Sequence, residues 1–469
     1  MRKLFCVLTI IFIYRIIVNT YFKGRVIVKI KLSDRFTYKK LFLFTVPSVI
    51  MMVFTSVYGV VDGFFVSNYV GKTQFAAVNF IFPFLMILGS IGFMFGAGGS
   101  ALIAKTYGEG KKDKAQKLFS LIVYTSVVCG FVISVLGFIL IRPAAVFLGA
   151  EGDMLEYGVI YGRILLLALP ASVLQFEFQS LFIAAEKPRL GLFVTVGAGV
   201  TNMVLDWLLT AVFSFGIVGA ALATAISQTV GGIVPLIYFG LPNSSILRLR
   251  KAQLDIKALL RTVINGSSEL MSNLSMSLVG MLYNFQLMKY AGEDGVSAYG
   301  VMMYVSFVFI SIFIGFSVGV APVISYHYGA ENTKELKSLL KKSLIIIGVS
   351  SVFMLVLGES LAIPLSKIFV GYDKALYDMT LRGFYIFSFS FLFSGIAIYG
   401  SAFFTALNNG LVSALISFLR TLIFQSAAVL VLPLIFEIDG IWCSVVIAEF
   451  VAAVVTVLFL LGLKKKYKY

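Results

Sequence analysis

The sequence predicts an all-α membrane protein, with twelve transmembrane helices in two six-helix lobes related by a pseudo-two-fold axis along the membrane normal. Three observations lead there. Of 469 residues, 59% are hydrophobic and only 13% charged, which is more apolar surface than a soluble fold can bury. The apolar residues fall into long runs, with the basic residues gathered in alternate loops between them. Short motifs also recur in the same order in both halves.

Residues 1–40 open with Arg2 and Lys3, followed by an apolar run from Leu4 to Val18 that Arg15 interrupts. The run is short for a span, and no small-residue cleavage site follows it. It reads as a basic N-terminal extension at the membrane surface rather than a thirteenth span. Hydropathy then places spans at 41–64, 76–104, 118–141, 159–183, 191–214, 216–240, 263–288, 296–321, 344–368, 383–407, 411–436 and 440–463. Each can cross ~30 Å of hydrocarbon at ~1.5 Å per residue. This divides the chain into an N-lobe (41–240), a cytoplasmic linker (241–262), a C-lobe (263–463) and a basic tail (464–469).

A net charge of +16 raises the question of nucleic acid, and the positions of the cations answer it. Lys105, Lys111, Lys112, Lys114 and Lys117 follow the second span, and Arg248, Arg250, Lys251, Lys257 and Arg261 follow the sixth. Lys334, Lys337, Lys341 and Lys342 follow the eighth, and Lys464, Lys465, Lys466 and Lys468 close the chain. All of these loops lie on one side, so the positive-inside rule puts both termini in the cytoplasm. The charge serves topology, and no nucleic-acid partner is expected. Arg420 alone among the cations sits well inside a span, Arg163 and Lys367 lying at span ends.

The halves repeat. Tyr69-Val-Gly71 matches Tyr290-Ala-Gly292, Tyr107-Gly108 matches Tyr328-Gly329, Phe182 pairs with Phe404, and Gly216-Ile217 matches Gly440-Ile441. Six spans per half is an even number, so both halves enter from the same side and their axis runs along the membrane normal.

Chemistry concentrates in a few intramembrane polar residues. Asn202 and Asp206 are four apart and share a helical face. A carboxylate at that depth costs a few kcal/mol unless it faces water or a cation. Asp62 lies at similar depth in the first span. Two close carboxylates either share a proton or bind a cation. Asn202 can add a carbonyl and Thr224 a hydroxyl, an all-oxygen set that suits Na+ as well as a proton relay. In the second half, Glu269 near the start of the seventh span, with Asn273 and Asn284 beyond it, forms a candidate substrate or second proton site. Glu449 reads as an interhelical contact, and His327 as polar surface in a loop. Pro47, Pro83 and Pro170 are candidate kinks.

Enzymatic signatures are missing. Gly98-Gly99-Ser100 has no P-loop context, and one histidine cannot supply a catalytic triad or a transition-metal cluster. Cys6, Cys129 and Cys443 lie singly in apolar runs, as buried thiols do. No cofactor is expected beyond a coupling ion.

Several stretches resemble the multidrug and toxic compound extrusion (MATE) transporters, in particular their MepA-like bacterial branch. They are Lys31-Leu-Ser-Asp-Arg-Phe-Thr-Tyr-Lys-Lys40, Phe54-Thr-Ser-Val-Tyr-Gly-Val-Val-Asp62-Gly-Phe-Phe-Val-Ser-Asn68, Val70-Gly-Lys-Thr-Gln-Phe-Ala-Ala-Val-Asn79, Gly98-Gly-Ser-Ala-Leu-Ile-Ala-Lys105 and Ala185-Glu-Lys-Pro-Arg189. The resemblance implies a monomeric antiporter of the bacterial inner membrane. It would export organic cations and drugs by alternating access, in exchange for H+ or Na+. It also implies that Asp62, Asn202, Asp206 and Thr224 fall on the N-lobe cation site. The chain departs from some relatives in having no acid within 383–407, which leaves Glu269 as the C-lobe acid. A lipid-linked saccharide flippase of the same superfamily is the alternative. Such flippases commonly have extra spans and cavity cations, and here only Arg420 is available.

Overall fold

A computed structural model describes residues 30–147 and 149–469, so the reading of the N-terminal extension as surface-lying rather than spanning falls mostly outside the described residues. Every regular element among the described residues is a helix. The first six helices are α1 (Tyr38–Val70), α2 (Lys72–Gly108), α3 (Lys112–Phe147), α4 (Gly152–Ala184), α5 (Pro188–Val212) and α6 (Gly216–Gly240). Ile256–Gly329 is two spans joined end to end, since Gly292 has φ 61° and ψ −150°, which no helix continues. We label its halves α7 (256–291) and α8 (293–329). Next come α9 (Thr333–Val370), α10 (Lys374–Ser388 and Ser390–Ala406, bent by 44°), α11 (Gly410–Val431) and α12 (Pro433–Tyr467). The twelve spans read from hydropathy are therefore present.

Local chemistry explains many of the starts. Thr37, Asp255, Asn332 and Asp373 each accept a backbone N–H three residues on, capping α1, α7, α9 and α10. The three candidate kink prolines lie inside unbroken helices. The breaks fall instead at Gly292, around Phe389 and at Glu437, where φ is 49°. Widened π-helical turns end α1 at Val66–Val70 and α5 at Trp207–Val212, and one interrupts α11 at Leu419–Phe424.

The lobes meet backbone to backbone at the end that carries the basic loops. A Cβ on Gly98 would lie 2.1 Å from the Thr262 carbonyl, and one on Gly266 1.9 Å from that of Met94. Likewise a Cβ on Gly108 would stand 2.1 Å from the Tyr326 carbonyl, and one on Gly329 2.1 Å from that of Lys105. Only glycine fits approaches this close. Aromatic contacts add to the seal, with the Lys105 ammonium 5.2 Å from the Tyr328 ring and Tyr107 beside Tyr326. Among the Gly-x-x-x-Gly pairs, Gly92 and Gly96 pack on α4, and Gly315 and Gly319 on α1.

Two extended segments reinforce this end. Residues 241–255 lie over N-lobe loops, with Lys187 Nζ donating to Ser244 (2.9 Å), the Arg250 N–H to Ser120 (2.9 Å) and Leu247 buried. The stretch before α1 touches both lobes. The Leu32 N–H donates to Glu186 of the α4–α5 loop at 2.9 Å, and the Phe36 N–H to Glu335 of α9 at 2.8 Å, while Lys342 donates to the Phe36 carbonyl. This stretch corrects the reading of His327. It lies in the last turn of α8 and is only 2% exposed, covered by residues about Asp34 and by Glu335.

Candidate cation site

Asp62 and Asp206 approach each other within the N-lobe because α1 packs along α5 and both residues lie well away from the basic end. Asp62 is half-buried, within hydrogen-bond reach of Asp206, Thr224 and Asn202. Thr224 Oγ1 donates to Asp62 Oδ1 at 3.3 Å, and Asn202 Nδ2 lies 3.5 Å from Thr224 Oγ1. Asp206 sits behind this group, 0% exposed. Three buried oxygens of the cluster, Asn202 Oδ1 and both Asp206 carboxylate atoms, have no donor. Buried acceptors without partners are costly, the more so when charged. A proton or a metal cation in the middle of the cluster would supply what they lack.

Both carboxylates precede a widened turn. The Val66 N–H is shared between the carbonyls of Asp62 and Gly63, and the Trp207 N–H between those of Met203 and Val204. Thr210 Oγ1 donates to the Asp206 carbonyl at 2.5 Å. Such turns loosen the helical ladder and recur at functional sites.

The four N-lobe candidates are thus brought together, and the C-lobe candidates are not part of the same cluster. Glu269 lies about a third of the way along α7 rather than near its start, because that helix begins at Ile256. It is half-buried, and Asn273 Nδ2 donates to its backbone carbonyl at 2.8 Å. Asn284 is exposed further along the same helix. Glu449 fulfils its reading as an interhelical contact, taking Arg420 Nε at 2.8 Å.

Two residues escape the sequence reading. Tyr161 of α4 is buried within hydrogen-bond reach of Thr224, and in sequence it carries no mark that separates it from other intramembrane tyrosines. Glu177, also on α4, is 0% exposed with both carboxylate oxygens unpartnered. An acid inside an apolar run was its available signal, the same one that flags Asp206.

Comparison with known proteins agrees with this geometry. The MatE family model matches residues 47–208 and 270–428, one stretch in each half. The multidrug export protein MepA of Staphylococcus haemolyticus is 26% identical over 69% of this chain and 72% of its own length. That of Staphylococcus saprophyticus is 24% identical over 92% and 94%. Among solved structures, a MATE protein in complex with MaL6 superposes with a TM-score of 0.88 at 22% identity, covering 92% of this chain and 98% of that one. An outward-facing multidrug resistance MATE family transporter of the MOP superfamily gives 0.86 at 22% identity, over 95% and 100%. Matched in both halves and sharing this architecture nearly end to end, the chain belongs to the MatE family and is a transporter rather than an enzyme.

Proposed function

We propose that this protein is a secondary antiporter that exports organic cations and drugs, driven by inward movement of H+ or Na+ through the Asp62/Asn202/Asp206/Thr224 cluster. The observation that carries the reading is the trio of buried, donorless oxygens on Asn202 and Asp206, facing a second carboxylate. The cluster has the oxygen chemistry of a hard-cation or proton site and holds no lysine or arginine of its own in its contacts. The multidrug export named for the staphylococcal relatives supports the cargo class.

The lobes seal at the basic end, which on this reading is the cytoplasmic one, with the chain in the bacterial inner membrane and both termini inside. A transporter closed there presents the coupling site to the outside, where the driving ion enters. Occupation of the cluster then weakens the hold on substrate, and substrate weakens the hold on the ion by the same factor. Glu269 in the other lobe is the acid placed to meet a cationic substrate.

The test is efflux of a cationic dye from proteoliposomes under imposed proton or sodium gradients. One gradient should drive efflux in the native chain and fail to do so in Asp62→Asn and Asp206→Asn. Gradient-driven efflux at native rates in both variants would overturn the reading.

A further inference from the structure

The C-lobe holds a polar pair on α11 and α12, the two helices that correspond to α5 and α6 of the N-lobe cluster. Arg420 Nε donates to both carboxylate oxygens of Glu449, at 2.8 and 3.1 Å, and Gln425 Nε2 lies 3.4 Å from one of them. The pair is well covered, with the arginine side chain 13% exposed and the glutamate 2%. The internal repeat relates the two positions. Gly440-Ile441 repeats Gly216-Ile217, which sets Glu449 one residue beyond the counterpart of Thr224. α11 is the counterpart of α5, and each carries a widened turn, at the end of α5 and earlier along the helix in α11. In α5 the turn follows directly on Asp206, and in α11 it contains Arg420.

The two repeats therefore bury carboxylates on corresponding helix pairs, at different positions along them, and neutralise them differently. A carboxylate inside a membrane lobe needs a counter-charge. Asp62 and Asp206 must take theirs from solution, since the oxygens of Asp206 are donorless. Glu449 has a guanidinium tethered beside it.

We propose that Arg420 is a built-in counter-ion that closes a cation site at Glu449, so that the protein carries its coupling ion in the N-lobe alone. The N-lobe half of this statement rests on the proposed function above, while the closed C-lobe site stands on the ion pair and the repeat. Removal of the guanidinium with Glu449 kept should open a second site for Na+ or a proton.

The experiment counts ions on the purified full-length chain, by radioactive sodium binding together with potentiometric proton uptake. Arg420→Met should gain one equivalent over the native chain, Arg420→Lys none, and Arg420→Met/Glu449→Gln should return to the native count. Glu449→Gln alone should also keep the native count. The proposal is overturned if folded Arg420→Met gains nothing, or if either Glu449→Gln variant loses an equivalent. If Arg420→Met does not fold, Arg420→Gln, which removes the charge and keeps a hydrogen-bond donor beside Glu449, is counted in its place, with the same gain of one equivalent expected and its absence overturning the proposal. Asp206→Asn separates the two claims. If it loses no equivalent, the N-lobe reading fails, and the comparison among the Arg420 and Glu449 variants still decides the C-lobe one.

Discussion

Gly108 and Gly329 occupy the same position in the two repeats, and each packs against the other's lobe. Gly108 faces the Tyr326 carbonyl and Gly329 that of Lys105, each at 2.1 Å from a notional Cβ. Lys105 and Tyr326 are themselves repeat partners, as are Tyr107 and Tyr328, so the Lys105–Tyr328 and Tyr326–Tyr107 contacts are one contact made twice. The pseudo-two-fold is thus visible in individual atoms.

From this symmetry, Gly108→Val and Gly329→Val should have matching effects. Overpacking of a tight contact costs about 1–3 kcal/mol, and each ~1.4 kcal/mol is tenfold in population. Labelling of a cysteine introduced beside the seal, by a membrane-impermeant maleimide added from the basic side, should rise about tenfold or more in both. A response in only one of them would break the equivalence.

Thr224→Val should weaken coupling-ion affinity without abolishing transport. The hydroxyl contributes one hydrogen bond to Asp62, worth about 1 kcal/mol net, so the ion concentration for half-maximal dye efflux should rise roughly fivefold. Thr224→Ser should restore it.

Glu335→Ala should lower thermal stability. The buried Phe36 N–H would lose its acceptor, at a cost of about 1–3 kcal/mol. Glu335→Gln keeps an acceptor oxygen and should lose less, as read from melting of the purified protein in detergent.

Tyr283→Phe probes structure apart from transport. The Tyr283 hydroxyl lies 2.8 Å from Ser444 inside the C-lobe, away from the cation cluster. Its loss should cost about 1 kcal/mol of stability and leave the ion dependence of efflux unchanged.

Much of this was legible in the chain. Helix length and number follow from hydropathy, because a bilayer permits few other solutions. Asn202 and Asp206 share a face by spacing alone, and the similar depth of Asp62 follows from the direction of α1 and α5. What was hidden depends on distant partners. His327 is buried because residues about Asp34 and Glu335 close over it, and no local pattern around position 327 announces that. Tyr161 joins the cluster only through the packing of α4 beside α6. Glu449 reads from sequence as an interhelical contact, but its partner becomes evident only once α11 is seen beside α12. The breaks in the helices were hidden too, since Pro47, Pro83 and Pro170 lie inside continuous helices while Gly292 supplies a break.

The broadened coils just past Asp62 and Asp206 bear on how an ion only ångströms across could move helices tens of ångströms long. A regular coil resists bending along its whole length, whereas here each acid stands just ahead of a closing turn at which a backbone N–H is already shared between two carbonyls. A captured charge drawing the two acids together would therefore pull beside the loosened ends of both rods, where the backbone can give way without straining the regular coil behind it.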